Sequence, residues 1–164
     1  MWANKIATHH SYTFYSDLMT DAQIKKYTSE HLKICSYKEW DLFLHPNQYP
    51  YIGRSYAWAK RADAESLLHL NKAERDELFE IIIPAWNNAI AKLFQHDLSN
   101  FAIFANTARH LHAHLIPRYN APRSFEGMEF VDPNPAGNYA PYPKKEIPAD
   151  MFEKIRTSIK NSIC

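Results

Sequence analysis

The sequence lacks the features that mark membrane proteins and polyanion-binding proteins. No stretch approaches about 18 consecutive apolar residues, and the start, Met1-Trp2-Ala3-Asn4-Lys5, lacks the apolar core of a signal peptide. The 19 Lys and Arg residues nearly balance the 18 Asp and Glu residues, and the formal net charge is +1. Such a chain has no general attraction for polynucleotides or anionic membranes, so an anionic ligand needs a local site. These absences predict a soluble cytoplasmic protein without a polynucleotide or membrane partner.

Cysteine is scarce as well. The two cysteines, Cys35 and Cys164, are far apart and have no CxxC spacing. The last residue of a chain is also an unfavourable position for a structural disulfide. The sequence therefore predicts two reduced thiols, as in a cytoplasmic protein.

The composition is that of one globular domain. The chain has 164 residues, 46% of them hydrophobic and 14% aromatic, which is enough for a core. It shows no internal repeat, no low-complexity segment and no domain boundary. We therefore expect a single domain over residues 1–164, with a turn-rich tail and terminal helix over 120–164.

Apolar periodicity and turn residues predict a mixed architecture. Helices are predicted over 21–34, from Asn71 with Glu74 at its third position and a kink at Pro84, and from Pro148 at the first position of a terminal helix. Strands are predicted over 41–46, 55–60 and 101–105 and at the histidine run 110–118, with the last two paired antiparallel. The sum predicts an α+β fold, an antiparallel sheet with helices packed on one face.

Histidines at alternate positions are the most informative feature of the chain. His110, His112 and His114 lie in the run His-Leu-His-Ala-His-Leu-Ile-Pro-Arg. On a strand these imidazoles share one face, about 6.6 Å apart, while the intervening apolar residues share the other. A strand built only for packing favours β-branched residues at such positions, because unpaired imidazoles are costly to bury. The pattern predicts one chemical face and one structural face.

Two chemistries fit three imidazoles on one strand. Two histidines two positions apart can share a zinc ion with a third ligand from elsewhere. Alternatively, a neutral imidazole at pH 7 can attack phosphorus and form a phosphoramidate, while its neighbours neutralise phosphate oxygens and protonate the leaving oxygen.

The histidine run and the segment 40–61 resemble the histidine triad family. The match includes Pro117 and Arg118 after the run, and a strand, a Pro-containing turn, a Gly53-Arg54 pair and a basic strand end before it. The resemblance covers about residues 40–119 and implies that family's fold. It also implies a nucleotide substrate, such as a dinucleoside polyphosphate, and a nucleotidyl-histidine at His112, supported by His110 and His114, without a cofactor or metal. Members commonly form dimers, which makes a homodimer one option for this chain.

The sequence departs from the family pattern near two predicted binding positions. Arg54 stands where the family has a fourth histidine, and its guanidinium is predicted to clamp phosphate. Before the triad the chain is short: Asn106 either replaces the family's glutamine, with Thr107 at its hydroxyl position, or corresponds to a strand-end asparagine. These departures also allow a nucleotide-binding regulator with slow turnover.

Four further residues are candidates near the predicted site. Asn47 stands near the family's ribose-contacting position after a one-residue shift, and its amide can bond hydroxyls. His45 ends the first predicted strand and can approach the pocket. Arg118 and Arg123 flank the exit of the histidine strand and are candidates for bidentate phosphate binding. The turn-rich segment 123–143 is predicted to lie on the surface beside the pocket.

Overall fold

The computed structural model describes residues 25–104 and 108–164. Its main sheet has five strands, and the segment after it forms a short hairpin. The strands are β1 Lys33–Ser36, β2 Trp40–Leu44, β3 Ser55–Ala59, β4 Leu98–Ile103, β5 His112–Arg118, β6 Arg123–Phe125 and β7 Met128–Phe130. The helices are α1 Lys72–Asp76, α2 Ile83–Phe94 and α3 Ala149–Ile163, with 3-10 turns at Glu30–Leu32 and Leu67–His69 and a π-helical segment at Glu77–Ile82.

The sheet is antiparallel throughout, in the order β1-β2-β3-β5-β4. β5 is therefore an inner strand, paired with β3 on one side and with β4 on the other. This confirms the predicted pairing of the histidine strand with the strand before it. The register places Trp58 opposite His112 and Tyr56 opposite His114.

One face of the sheet carries the main core. Helices α2 and α3 pack on this face and bury their apolar stripes against the inward residues of the strands. The buried residues from the helical segments are Leu78, Ile82, Trp86, Ile90, Phe94, Met151, Ile155 and Ile159. The predicted α+β fold with helices on one face is confirmed.

The long helical segment begins as predicted. Asn71 accepts a hydrogen bond from the Glu74 N–H, and the Glu74 carboxylate accepts one from the Asn71 N–H, which completes a capping box. Before Pro84 the helix widens into the π segment, where the Ile83 N–H donates to the Leu78 carbonyl five residues back. The proline thus lies in the first turn of α2, where its missing donor is tolerated.

Several predicted boundaries are wrong. The helix predicted over 21–34 stops short of residue 34. Residues 25–27 are helical, but Ile34 is buried within β1. Residues 21–24 lie outside the described part. His110 precedes β5 instead of lying in it, because the strand pairing starts at His112. Pro148 is the residue before α3 and not its first residue.

The prediction of two reduced thiols is also wrong. Cys35 in β1 and Cys164 after α3 form a disulfide, with their Cα atoms 6.2 Å apart. Helix α3 runs back along β1, where the Arg156 guanidinium donates to the Lys33 carbonyl, and this brings the last residue against the sheet edge. The cysteines therefore no longer support a cytoplasmic location. Within residues 25–104 and 108–164, no helix has the length and apolar character needed to cross a bilayer.

Candidate active site

The histidines lie on the sheet face opposite the main core. His110 and His112 are each 8% exposed and His114 is partly buried, whereas Leu111, Ala113 and Leu115 belong to the core. The imidazole centroids of His112 and His114 are 4.9 Å apart. The structure therefore brings the three histidines together and separates a polar face from a packing face.

Backbone carbonyls orient two of the imidazoles. His110 Nε2 lies 2.7 Å from the Ala59 carbonyl oxygen, and His112 Nδ1 lies 2.7 Å from the His110 carbonyl oxygen. A carbonyl only accepts hydrogen bonds, so each of these nitrogens carries the proton. In a neutral His112 ring the lone pair then lies on Nε2, the nitrogen that a nucleophile needs.

Burial keeps these histidines neutral. Desolvation lowers the pKa of His110 and of His112, although the carbonyl hydrogen bonds act in the opposite direction. Desolvation, together with the charges of His112 and Arg54, lowers the pKa of His114 to about 3. His114 Nδ1 is buried and, among the described residues, has no hydrogen-bond partner.

Two aromatic side chains, Trp58 and Tyr27, stack beside the histidines. The Trp58 ring stacks on His110 at 4.4 Å with 14° between the planes, and on His112 at 5.4 Å and 22°. Tyr27 stacks behind Trp58 at 5.8 Å. Sequence reasoning missed both aromatic residues. Trp58 could have been found from the β3–β5 register, since a residue directly opposite His112 shares its face.

A small cavity of about 60 Å³ opens at the histidines. It is lined by Tyr27, His45, Pro46, Tyr56, Trp58, His112 and His114. His45 is thus placed at the site, with its ring 6.1 Å from His114 and its Nδ1 accepting from the Asn47 N–H at 3.0 Å. Desolvation, with a further contribution from the Arg54 charge, lowers the pKa of His45 well below its usual value.

A larger cleft of about 750 Å³ adjoins this cavity. The two share Pro46, and Asn47 lies in the wall of the larger one together with Lys144 and Lys145. Its apolar lining comes from Leu32, Ile147 and Phe152. Asn47 therefore lies beside the histidine cavity, as the sequence predicts, but it faces a cleft built partly from the tail.

Arg54 lies at the other end of the histidine row. Desolvation is the larger cause of the lowered pKa of His45 and of His114, and the charge of Arg54 lowers both further. Tyr142 accepts a hydrogen bond from Arg54 Nη1, and the guanidinium carbon lies 4.9 Å from the Tyr142 ring centroid and 5.6 Å from that of Tyr139. Arg54 Nε is buried and has no hydrogen-bond partner in the described part of the chain.

The glycine before Arg54 fixes the approach of the chain. Gly53 has φ +87°, which L side chains rarely adopt, and a Cβ there would meet Ile90 Cδ1 at 2.7 Å. The Arg54 backbone then pairs with His45, whose N–H donates to the Arg54 carbonyl at 2.9 Å. The Gly53-Arg54 pair therefore extends the β2–β3 hairpin towards the histidines.

Arg118 lies in a separate network. Its five N–H groups donate to Asp132, Asn100, Gly137 and Asn134. With every donor used, its guanidinium tethers the tail and has none left for the predicted phosphate. Arg123 likewise donates to the Phe94 and Gln95 carbonyls, at the end of α2. Asn106 and Thr107 lie outside the described residues.

The architecture matches solved histidine triad proteins. One from Bradyrhizobium japonicum has a TM-score of 0.66 and 17% identity over 90% of this chain and 98% of that one. One from Sinorhizobium meliloti has a TM-score of 0.64 and 17% identity over 89% and 97%. A hypothetical histidine triad nucleotide-binding protein from Sulfolobus tokodaii has a TM-score of 0.62 and 17% identity over 80% and 83%. No protein-family model and no curated sequence matches the chain. The likeness therefore concerns architecture, and the chain has the histidine triad fold.

Proposed function

We propose that this protein cleaves or transfers a nucleotidyl group at an α-phosphorus through a covalent nucleotidyl-histidine at His112. The observation that carries the proposal is the hydrogen bond from His112 Nδ1 to the His110 carbonyl, which leaves Nε2 as the basic nitrogen. Dinucleoside polyphosphates or related nucleotide conjugates are the proposed substrates. The histidine triad fold is consistent with a nucleotide ligand. We also propose that the chain belongs to the histidine triad family, as its sequence resemblance implies.

The proposed reaction has two displacements at phosphorus. The His112 Nε2 lone pair forms the N–P bond while the bond from phosphorus to the leaving oxygen breaks. That oxygen leaves with the electron pair of the broken bond and takes up a proton from the solvent. Water or another acceptor then attacks phosphorus, loses its proton and releases the His112 imidazole. His110 carries no charge in this scheme, and its carbonyl holds the proton on His112 Nδ1 throughout.

Arg54 supplies the positive charge in this scheme. We expected a flanking imidazolium to neutralise phosphate oxygens, but the pKa of His114 is about 3, so its ring is neutral at pH 7. A guanidinium stays charged at any working pH. Its buried Nε and the buried His114 Nδ1 are both without partners in the described part, and a phosphate oxygen would satisfy either one.

The two cavities suggest how a substrate is divided. At about 60 Å³, the histidine cavity has room for a phosphate but not for a nucleoside, since ligand pockets commonly measure about 300 to 1,000 Å³. The adjoining cleft of about 750 Å³ falls in that range. We therefore assign the phosphate to the histidines and an attached organic group to the cleft, with the Asn47 amide at its wall.

The zinc alternative is less favoured. Among residues 25–104 and 108–164, no three His, Cys, Asp or Glu side chains are grouped so as to hold a metal ion. The regulator alternative keeps the pocket and predicts nucleotide binding with slow turnover. A screen of nucleotide substrates with and without chelator separates the three: we expect full activity after exhaustive chelation, whereas activity lost to chelator and restored by zinc alone would favour the metallohydrolase.

The nucleophile is tested by His112→Ala. We expect turnover to fall by about 1,000-fold or more and nucleotide affinity to stay within about tenfold, because a nucleophile acts chiefly in the transition state. The exposed His69 offers a matched control, and His69→Ala should keep full turnover. Acid quench with a labelled nucleotide should trap an adduct on His112. Near-normal turnover in His112→Ala, or an adduct on another histidine, would contradict the assignment.

A further inference from the structure

We propose that Trp58 is a positioning residue for the reaction: its indole face fixes the His110 and His112 imidazoles and stabilises the positive charge that His112 acquires in the covalent intermediate. This inference rests on the proposed function. It starts from the nearly parallel stack of Trp58 on both rings, at 14° and 22°. An edge contact would present the positive rim of the indole, whereas a stack presents its electron-rich face.

Main-core packing does not explain a tryptophan at this position. Trp58 projects from β3 on the face away from the helices, within a small cluster of buried residues comprising Leu32, Phe43, Tyr56 and Ala108. It is 5% exposed, and both stacked histidines are 8% exposed. Tyr27 stacks on Trp58 at 14° and limits its movement. The indole is therefore held against the imidazoles in a site with little water.

The intermediate places a cation on this stack. When Nε2 bonds to phosphorus, Nδ1 keeps its proton and its hydrogen bond to the His110 carbonyl, so the ring becomes positively charged. A cation over an indole face is stabilised more strongly where water is excluded. Phenylalanine provides a weaker face and leucine provides none. The stack thus acts on a ring that is neutral before attack and charged after it.

Other charged and titratable groups near the stack have their own partners or lie further along the row. Asp41, opposite Trp58 in β2, is paired with Lys33 and Lys60. Arg61 acts on His110 through its charge but is hydrogen-bonded to Glu74. His45, His114 and Arg54 lie at the far end of the histidine row, and the Tyr56 hydroxyl donates to the Tyr27 carbonyl. Trp58 is the aromatic ring that stacks on both His110 and His112 in the described part of the chain.

The kinetic test compares Trp58→Phe and Trp58→Leu in the full chain. We expect Trp58→Leu to lower kcat by about 2- to 30-fold, the range that cation–π contacts span from exposed to desolvated sites, with KM within about twofold. Trp58→Phe should fall between it and the wild type. Trp40→Phe is the matched control, since Trp40 lies in the core and its indole donates to the Glu74 carbonyl. It should leave kcat unchanged.

A fluorescence titration tests the stack without any substrate. An imidazolium in contact with an indole quenches its emission, so emission should fall as the pH is lowered. The fall should occur below the ordinary histidine pKa of about 6.5, because burial lowers the pKa of His110 and of His112. This component should persist in Trp40→Phe and disappear in Trp58→Phe, which also decides the matter if Trp58→Leu does not fold. Equal kcat in the wild type and both Trp58 variants, a change in KM alone, or an unchanged titration in Trp58→Phe would overturn the inference. If the fluorescence titration is as expected but the wild type turns over no nucleotide, the proposed function is refuted and the stacking of Trp58 on the histidines is not.

Discussion

Neutralising Asp132 should destabilise the protein far more than neutralising a surface carboxylate. Arg118 Nε lies 2.8 Å from Asp132 Oδ2 and Nη2 lies 3.2 Å from Oδ1, and the two side chains are 3% and 0% exposed. Asp132→Asn preserves the shape but leaves a buried guanidinium without its counter-charge. Breaking a buried pair in this way costs about 3–5 kcal/mol. Glu126→Gln removes the exposed partner of Lys154 and should cost less than about 1 kcal/mol.

Urea denaturation, monitored by circular dichroism, gives the free energy of unfolding of both variants. A double variant, Arg118→Met with Asp132→Leu, removes both charges and should recover part of the loss, because the cost lies mainly in the unpaired charge. The reasoning is refuted if Asp132→Asn is no less stable than Glu126→Gln. Asp132→Asn should also weaken polyphosphate binding, since Arg118 tethers the tail at Asn134 and Gly137, shortly before Tyr139 and Tyr142 contact Arg54.

Two further predictions concern the charge at the site. Arg54→His should lower the affinity for polyphosphate-bridged dinucleotides more than the affinity for a nucleoside monophosphate, because the substitution removes a permanent positive charge. Titration calorimetry measures both affinities. Equal losses for the two ligands, or no loss, would place Arg54 outside the phosphate site. The free energy of unfolding should decrease as the pH is lowered. Burial lowers the pKa of His114 to about 3, so below the ordinary histidine pKa of about 6.5 the unfolded chain binds a proton that the folded chain does not. We expect a loss of about 1 kcal/mol per pH unit from His114 between pH 6.5 and 4, and a flat urea midpoint over that range would show that the folded histidines are already protonated.

Features set by local periodicity could be predicted from the sequence. Alternation at His110, His112 and His114 separated the two faces of the sheet before its strand order was known. The capping box at Asn71 and Glu74 lies within four residues, so the start of the helix could be recognised from the residues alone. The apolar spacing predicts a buried stripe along this helix, at Leu78, Ile82, Ala85, Ala89 and Leu93. Leu78, Ile82 and Ala89 are buried, but Trp86 and Phe94 replace Ala85 and Leu93 in the stripe, because the π segment shifts the register.

Features set by distant contacts could not be predicted. Ile34 fits a helical apolar spacing but is drawn into β1 by pairing with β2 and by burial in the core. Cys164 reaches Cys35 across 129 residues, only because α3 returns to that edge of the sheet. Arg54 and Tyr142 are 88 residues apart, and nothing in either local sequence indicates that they meet. The predicted phosphate role of Arg118 depended on its neighbours in sequence, whereas its partners come from β4 and the tail.

Arg54, at a position where the sequence resemblance leads one to expect a histidine, affects how the site controls its protons. Desolvation lowers the pKa of His45 and of His114, and the permanent charge of the guanidinium lowers both further. Both rings are therefore neutral before substrate arrives. A phosphate between Arg54 and His114 would offset the guanidinium charge and raise the pKa of His114, because a nearby anion favours the imidazolium. In the proposed reaction, a bound phosphate would thus bring His114 closer to the charged state, in which its ring can donate a proton.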